Sequence, residues 1–133
     1  MADPHAQTGQ DFSYWRTRPR APLPGTRLGP VSALGPEGTK EFVFGVGPSA
    51  FRMFVVYCEG RINGYLNLCP HYSSPLNIED DKFLSPDGDA LMCRRHFALF
   101  RIEDGMCFSG ACVGKALDRI PVTLRDGEIE ITG

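Results

Sequence analysis

From Lys40 to Thr132 the sequence runs almost entirely in short apolar or alternating stretches, namely KEFVFGV, RMFVVYC, INGYLNL, ALMC, ALFRI, RIPVTL and EIEIT. Stretches of this length and composition are strands, and no segment keeps a helical apolar period for more than a turn or two. Between them stand Cys58-Glu59-Gly60, Asp87-Gly88, Asp104-Gly105 and Asp126-Gly127. Asp-Gly and Glu-Gly pairs take up positive φ cheaply, as tight hairpins require. The chain is therefore expected to be all-β, an antiparallel sandwich or small barrel, with no internal repeat of 20–50 residues.

A chain of 133 residues has room for one domain with one substantial core, not for two catalytic domains. Fourteen basic residues against 16 acidic ones leave a net charge of −2, which excludes a general attraction to nucleic acid. Residues 1–35 carry Pro4, Pro19, Pro22, Pro24 and Pro30 among four arginines. That is too much proline for a helix or an interior strand, so this stretch is read as an arm and residues 36–133 as the domain. Phe12, Tyr14 and Trp15 would be costly in water, so the arm is expected to dock on the domain or on a second copy of the chain, forming a homo-oligomer. No apolar run is long enough for a membrane span and the N-terminus lacks an apolar leader, which points to the cytoplasm. Five cysteines, an odd number at irregular spacing, suit thiols or metal ligands better than a disulfide framework.

Chemistry concentrates in two places. NLCPHYSSPLN offers Cys69 and His71, and LMCRRHFALF offers Cys93 and His96; each pair ends a strand and opens a loop. The pleat turns residues 69 and 71 to one side, and a turn after Cys93 can bring His96 round to face them. Two thiolates and two imidazoles on adjacent loops make a four-ligand pocket for a borderline-soft metal centre. Arg94 and Arg95 are read as solvated loop charges. Cys58, Cys107 and Cys112 are read as structural thiols without a ligand pattern of their own.

The order Cys-x-His, then Cys-x-x-His, resembles the Rieske family, and the resemblance covers most of residues 40–132. GYLNLCPHYSSPLN is similar to the family's first loop, with Pro70 and Pro75-Leu76 in place. CRRHFALFRIEDGMCFSGACVGKALDRIPVTLRDGEIEI is similar to its second loop, the following hairpin, a covering loop near Gly110 to Gly114 and the last strands. The resemblance implies a Rieske-like antiparallel β-sandwich bearing a small cluster-binding subdomain of two loops. It also implies one 2Fe-2S cluster, with Cys69 and Cys93 on one iron and His71 and His96 on the other. High-potential members add a loop-to-loop disulfide and hydroxyl donors to the cluster's sulfurs. Ser74 and Arg95 stand at the disulfide positions and Ala98 and Phe100 at the hydroxyl positions, so the low-potential, ferredoxin-like class is expected. Two positions depart from the family pattern: Phe97 and Ser73 stand where glycine is usual, and Phe97 would be strained if that position needs φ > 0.

By the resemblance, the chain is a one-electron carrier between a flavin-dependent reductase and a terminal oxygenase or similar acceptor. It is not read as an enzyme. Only His5 remains for a second iron site of the oxygenase kind, and no flavin or nicotinamide fingerprint is present. The competing readings are a structural zinc module, since two Cys and two His also suit zinc, and a small Rieske subunit or redox sensor of a reductase complex.

Overall fold

The computed structural model describes residues 14–70, 75–78, 81–95 and 97–132. Among them run the strands β1 (Arg27–Pro30), β2 (Thr39–Phe44), β3 (Phe51–Cys58), β4 (Arg61–Leu66), β5 (Leu91–Met92), β6 (Leu99–Phe100), β7 (Cys107–Ser109), β8 (Arg119–Ile120), β9 (Val122–Arg125) and β10 (Glu128–Ile131). Helical structure among these residues is limited to single 3-10 turns at Tyr14–Thr17, Val31–Leu34 and Gly47–Ser49. The strands form three antiparallel sheets, ordered β1-β10-β9, β2-β3-β4-β8 and β5-β6-β7. No helix among the described residues is long and apolar enough to cross a membrane.

Local chemistry explains the hairpins. Cys58 pairs with Arg61 across Glu59 (φ 52°) and Gly60 (φ 78°), and Arg125 pairs with Glu128 across Asp126 (φ 54°) and Gly127 (φ 80°). Two successive positive φ values in a two-residue loop match the right-handed twist of the flanking strands. The other two Asp-Gly pairs sit in longer connections, where Gly88 N–H donates to Ser85 O at 2.8 Å and Gly105 N–H to Arg101 O at 2.9 Å.

The run RMFVVY is continuous rather than alternating because β3 is covered on both faces. Phe51, Met53 and Val55 enter one core with Trp15, Leu66, Ile120, Ile129 and Ile131. Phe54 and Val56 enter a second with Tyr65, Phe83, Leu91 and Phe100. Phe54 and Phe83 stack with ring centroids 4.2 Å apart, joining the small sheet to the large one. Pro121 stands between β8, which pairs with β4, and β9, which pairs with β10, so the chain changes sheets at a residue with no N–H to donate.

Residues assigned to the arm by their proline content contribute structure of their own. β1 lies at a sheet edge, with an irregular register between Arg27 and Gly29 and Pro30 at its end. Proline excludes an interior strand, not an edge. Leu34 and Trp15 are buried in the first core, where the Trp15 ring meets Phe51 edge-on at 6.2 Å and carries the Arg16 guanidinium at 5.0 Å. The indole thus docks on its own domain. Phe12 lies outside the described residues. Trp15→Ala is expected to lower unfolding free energy by about 3–5 kcal/mol, the usual result of emptying a core aromatic site; urea denaturation followed by far-UV circular dichroism measures it.

Candidate metal centre

The first candidate loop leaves β4 at Asn67 and returns at Leu76 and Asn77, and both ends are held by one buried polar network. Asn67 donates through Nδ2 to Glu41 Oε2 (2.7 Å) and Asn77 Oδ1 (2.9 Å), while its Oδ1 accepts the Leu76 N–H at 2.8 Å. Asn77 Nδ2 reaches Glu41 Oε1 at 3.2 Å. Arg52 closes the network with two bonds to the same carboxylate, at 2.6 and 3.0 Å. Burial alone would raise Glu41, yet the bonds and charge of Arg52 and the bonds of Asn67 and Asn77 hold its carboxyl below the ordinary range. Further along, Asp81 in the left-handed region (φ 61°) accepts the Glu41 N–H at 2.8 Å and pins the next segment to the edge of β2.

None of these residues was singled out from sequence. Two signals were present: Asn67 and Asn77 bracket the loop NLCPHYSSPLN, and Glu41 is a lone acid in an apolar strand. Arg52 lies diagonally across the β2–β3 pairing, where Glu41 faces Phe54 and Val43 faces Arg52.

The second candidate loop follows β5. Phe97 N–H donates to Cys93 O at 2.7 Å and Cys93 N–H to Ala98 O at 3.0 Å, so Cys93 is bonded back to both Phe97 and Ala98. Phe97 adopts φ 62° with its side chain 66% exposed. The position does demand a positive φ, and phenylalanine there stores about 1–3 kcal/mol that glycine would not. Arg94 N–H donates to Leu76 O at 2.7 Å, tying the two loops together, and its guanidinium donates to Leu84 O at 3.0 Å. Arg94 therefore braces the loop from within, whereas Arg95 is the solvated charge.

Cys69 and Cys93 are both buried and belong to one core cluster. His71 and His96, like Tyr72, Ser73 and Ser74, lie outside the described residues. A third segment packs into the same core cluster through Cys107 and Cys112. Gly110 (φ 104°) lies so close to Ala98 that a Cβ would stand 2.9 Å from its Cα, and Lys115 N–H donates to Cys112 O at 2.9 Å. Cys112 Sγ donates to Cys107 Sγ at 3.4 Å, and Cys69 lies in the same core cluster. Burial, with these sulfur neighbours, pushes its thiol up to about 12. No disulfide joins the described cysteines. Two buried thiols on loops tied to each other are donor chemistry suited to an iron-sulfur centre.

Comparison with known proteins gives the same direction. The family model described as the Rieske [2Fe-2S] domain matches residues 27–122, starting further upstream than the motifs reach. Among solved structures, the ferredoxin of carbazole 1,9a-dioxygenase from Nocardioides aromaticivorans IC177 is similar with a TM-score of 0.62 at 19% identity, over 83% of this chain and 98% of that one. The Sphingomonas yanoikuyae B1 ferredoxin follows at 0.60 and 22%, over 82% and 98%. A complex of reduced oxygenase and oxidized ferredoxin in carbazole 1,9a-dioxygenase contains a chain similar at 0.62 and 20%, over 81% and 92%. No curated protein matches the sequence.

Two predictions follow from the loop geometry. Because Glu41 is depressed when folded, its contribution to stability is complete above the ordinary glutamate range near about pH 4.3 and is lost as pH falls through the folded value. Glu41→Gln should be less stable at pH 7 and lose less on acidification; an unchanged slope of melting temperature against pH would count against the network. Phe97→Gly should raise the urea midpoint, by a net gain of about 1 kcal/mol after glycine's entropy is subtracted.

Proposed function

Because the chain belongs to the Rieske [2Fe-2S] domain family, we propose that it is a one-electron carrier, low in potential and ferredoxin-like, in which Cys69 and Cys93 hold one iron and His71 and His96 the other. The single observation that carries this reading is the pair of buried thiols on two loops joined through Leu76 and Arg94. Bound there, a 2Fe-2S cluster supplies reversible storage of one electron. The residues around it set how that is used. Gly110 lets the covering loop close on Ala98, which keeps water from the thiolate side. Ala98 and Phe100, buried and without a hydroxyl, offer no donor to the sulfurs, which supports the low-potential assignment.

Exchange with partners falls to the exposed side. Phe97 on the second loop and Val113 on the covering loop present apolar side chains to solvent, and Arg95 adds a positive charge able to steer an acidic partner. A flavin-dependent reductase as donor and an oxygenase as acceptor fit this arrangement, and the similar ferredoxin chain found in complex with an oxygenase supports it. The chain carries electrons and performs no substrate chemistry of its own in this reading.

Anaerobically reconstituted protein should be red-brown, bleach on dithionite and give the paramagnetic resonance of a mixed Cys and His ligated cluster when reduced. Its midpoint should fall below about +150 mV, in the lower part of the family's range. A higher midpoint refutes the low-potential class. A colourless, resonance-silent preparation that binds zinc refutes electron carriage altogether. Cys69→Ser should abolish the colour.

A further inference from the structure

Cys107 and Cys112 face each other within the covering loop, their sulfurs 3.4 Å apart, and neither is among the residues read as cluster ligands. Both are buried, yet Phe108, Ser109, Gly110 and Ala111 between them and Val113 after them are exposed, so the pair lies just beneath the surface. Backbone bonds hold the two residues to a common partner. Cys107 N–H donates to Lys115 O at 2.8 Å and Lys115 N–H to Cys112 O at 2.9 Å, while Gly114 N–H reaches Cys107 O at 3.5 Å. The sulfur contact therefore belongs to one closed loop rather than to two independent segments. The Cys112 thiol donates to the Cys107 sulfur, and the Cys107 thiol donates to Ser109 O at 3.3 Å. No group of three or more His, Cys, Asp or Glu side chains able to hold a metal ion is found among the described residues. The chemistry left to two adjacent thiols is with each other.

We propose that Cys107 and Cys112 form a second redox site, a dithiol that a small hydroperoxide oxidises to a disulfide and that added thiols reduce again. It is separate from the one-electron reading and stands whichever residues hold iron. In the first step the peroxide O–O bond breaks, one sulfur becomes a sulfenic acid and one water leaves. The second sulfur then displaces the hydroxyl: the S–S bond forms, the S–O bond breaks, and the remaining thiol hydrogen departs in a second water. Two electrons pass from the sulfurs to the peroxide oxygens, and thiol–disulfide exchange with a reducing dithiol returns two electrons and two protons. Because the sulfurs are already neighbours, the sulfenic acid meets its resolving thiol before further oxidation. Burial favours a small peroxide over a bulky disulfide as the oxidant. It also holds the Cys112 thiol protonated, which makes the reaction slow and suits a record of sustained oxidant rather than rapid peroxide removal. Oxidation removes the hydrogen that Cys107 gives to Ser109 O and closes a ring that contains Phe108 and ends next to Val113, so the exposed face of the covering loop is what changes.

Trypsin supplies a direct readout, because cleavage after Arg101 and Lys115 releases both cysteines on one peptide that contains no other. Reconstituted wild-type protein is exposed to hydrogen peroxide, quenched in acid, alkylated with N-ethylmaleimide, digested and weighed by mass spectrometry. The peptide is expected to be lighter by two hydrogens and to carry no alkyl group, whereas untreated protein carries two and dithiothreitol after peroxide restores both. Oxidation of Met106 in the same peptide adds an oxygen and is told apart by mass. In Cys107→Ser and Cys112→Ser the resolving thiol is missing, so the remaining sulfur should stop at a sulfenic acid that dimedone traps, a product scarce in the wild type. The wild-type peptide decides the matter even where a variant fails to fold. Two alkylated cysteines after peroxide, oxidation to sulfinic acid, or a cross-link to Cys58, Cys69 or Cys93 in place of the pair overturns the proposal, as does pairing that appears only when peroxide is added in urea. A chain that takes up no cluster overturns the electron-carrier reading instead, and the same peptide still decides whether the dithiol pairs.

Discussion

The backbone of Leu76 is where the two candidate loops become one site. Its N–H is taken by Asn67 and its carbonyl by Arg94, so the start of the first loop, its end and the start of the second are joined in series. Each bond is modest in isolation, but a buried backbone group left without its partner costs about 1–3 kcal/mol. The network behind Asn67 matters for the same reason: Glu41 is a half-buried carboxylate whose charged form is favoured by the bonds and charge of Arg52 and the bonds of Asn67 and Asn77. A charge on the large sheet thus governs the spacing of two cysteines on loops beyond its edge.

The large sheet can carry that role because both of its faces are covered. Packing on one face involves Trp15 and the β1-β10-β9 sheet; on the other, the small sheet is held by the Phe54–Phe83 stack. Sequence made most of this legible, since strand runs and hairpin glycines obey local rules. β1 and β7 escaped because an edge strand with Gly29 and Pro30, and a strand of three residues, carry almost no pattern. Their pairing is decided by tertiary neighbours rather than by their own composition.

The candidate site divides in the same way. Cysteines at fixed spacing announce themselves, and the displaced glycine at Phe97 correctly marked a left-handed backbone. The polar residues that position the loops were not visible in advance, because an asparagine in a loop is ordinarily a solvated turn residue and only burial turns it into a brace. Arg94 and Arg95 make the point with adjacent identical residues, one bracing Leu84 and one facing water. Cys107 and Cys112 were read as structural thiols, and they are buried side by side with their sulfurs 3.4 Å apart, a proximity that spacing alone does not encode.

β4 and β8 are neighbours, with Gly64 opposite Ile120 and Tyr65 opposite Arg119, and Leu66 N–H donates to Asp118 O at 2.9 Å. The chain between them therefore departs from and re-enters the large sheet at one hydrogen-bonded neck, and it is fastened a second time at the edge of β2 through Asn77 and Asp81. What lies between is an insertion on that stem, and lengthening its loops beyond these two attachments adds only a slowly growing closure entropy. Such a segment behaves as a cassette, free to change its rim and its covering loop while the sandwich beneath keeps its register.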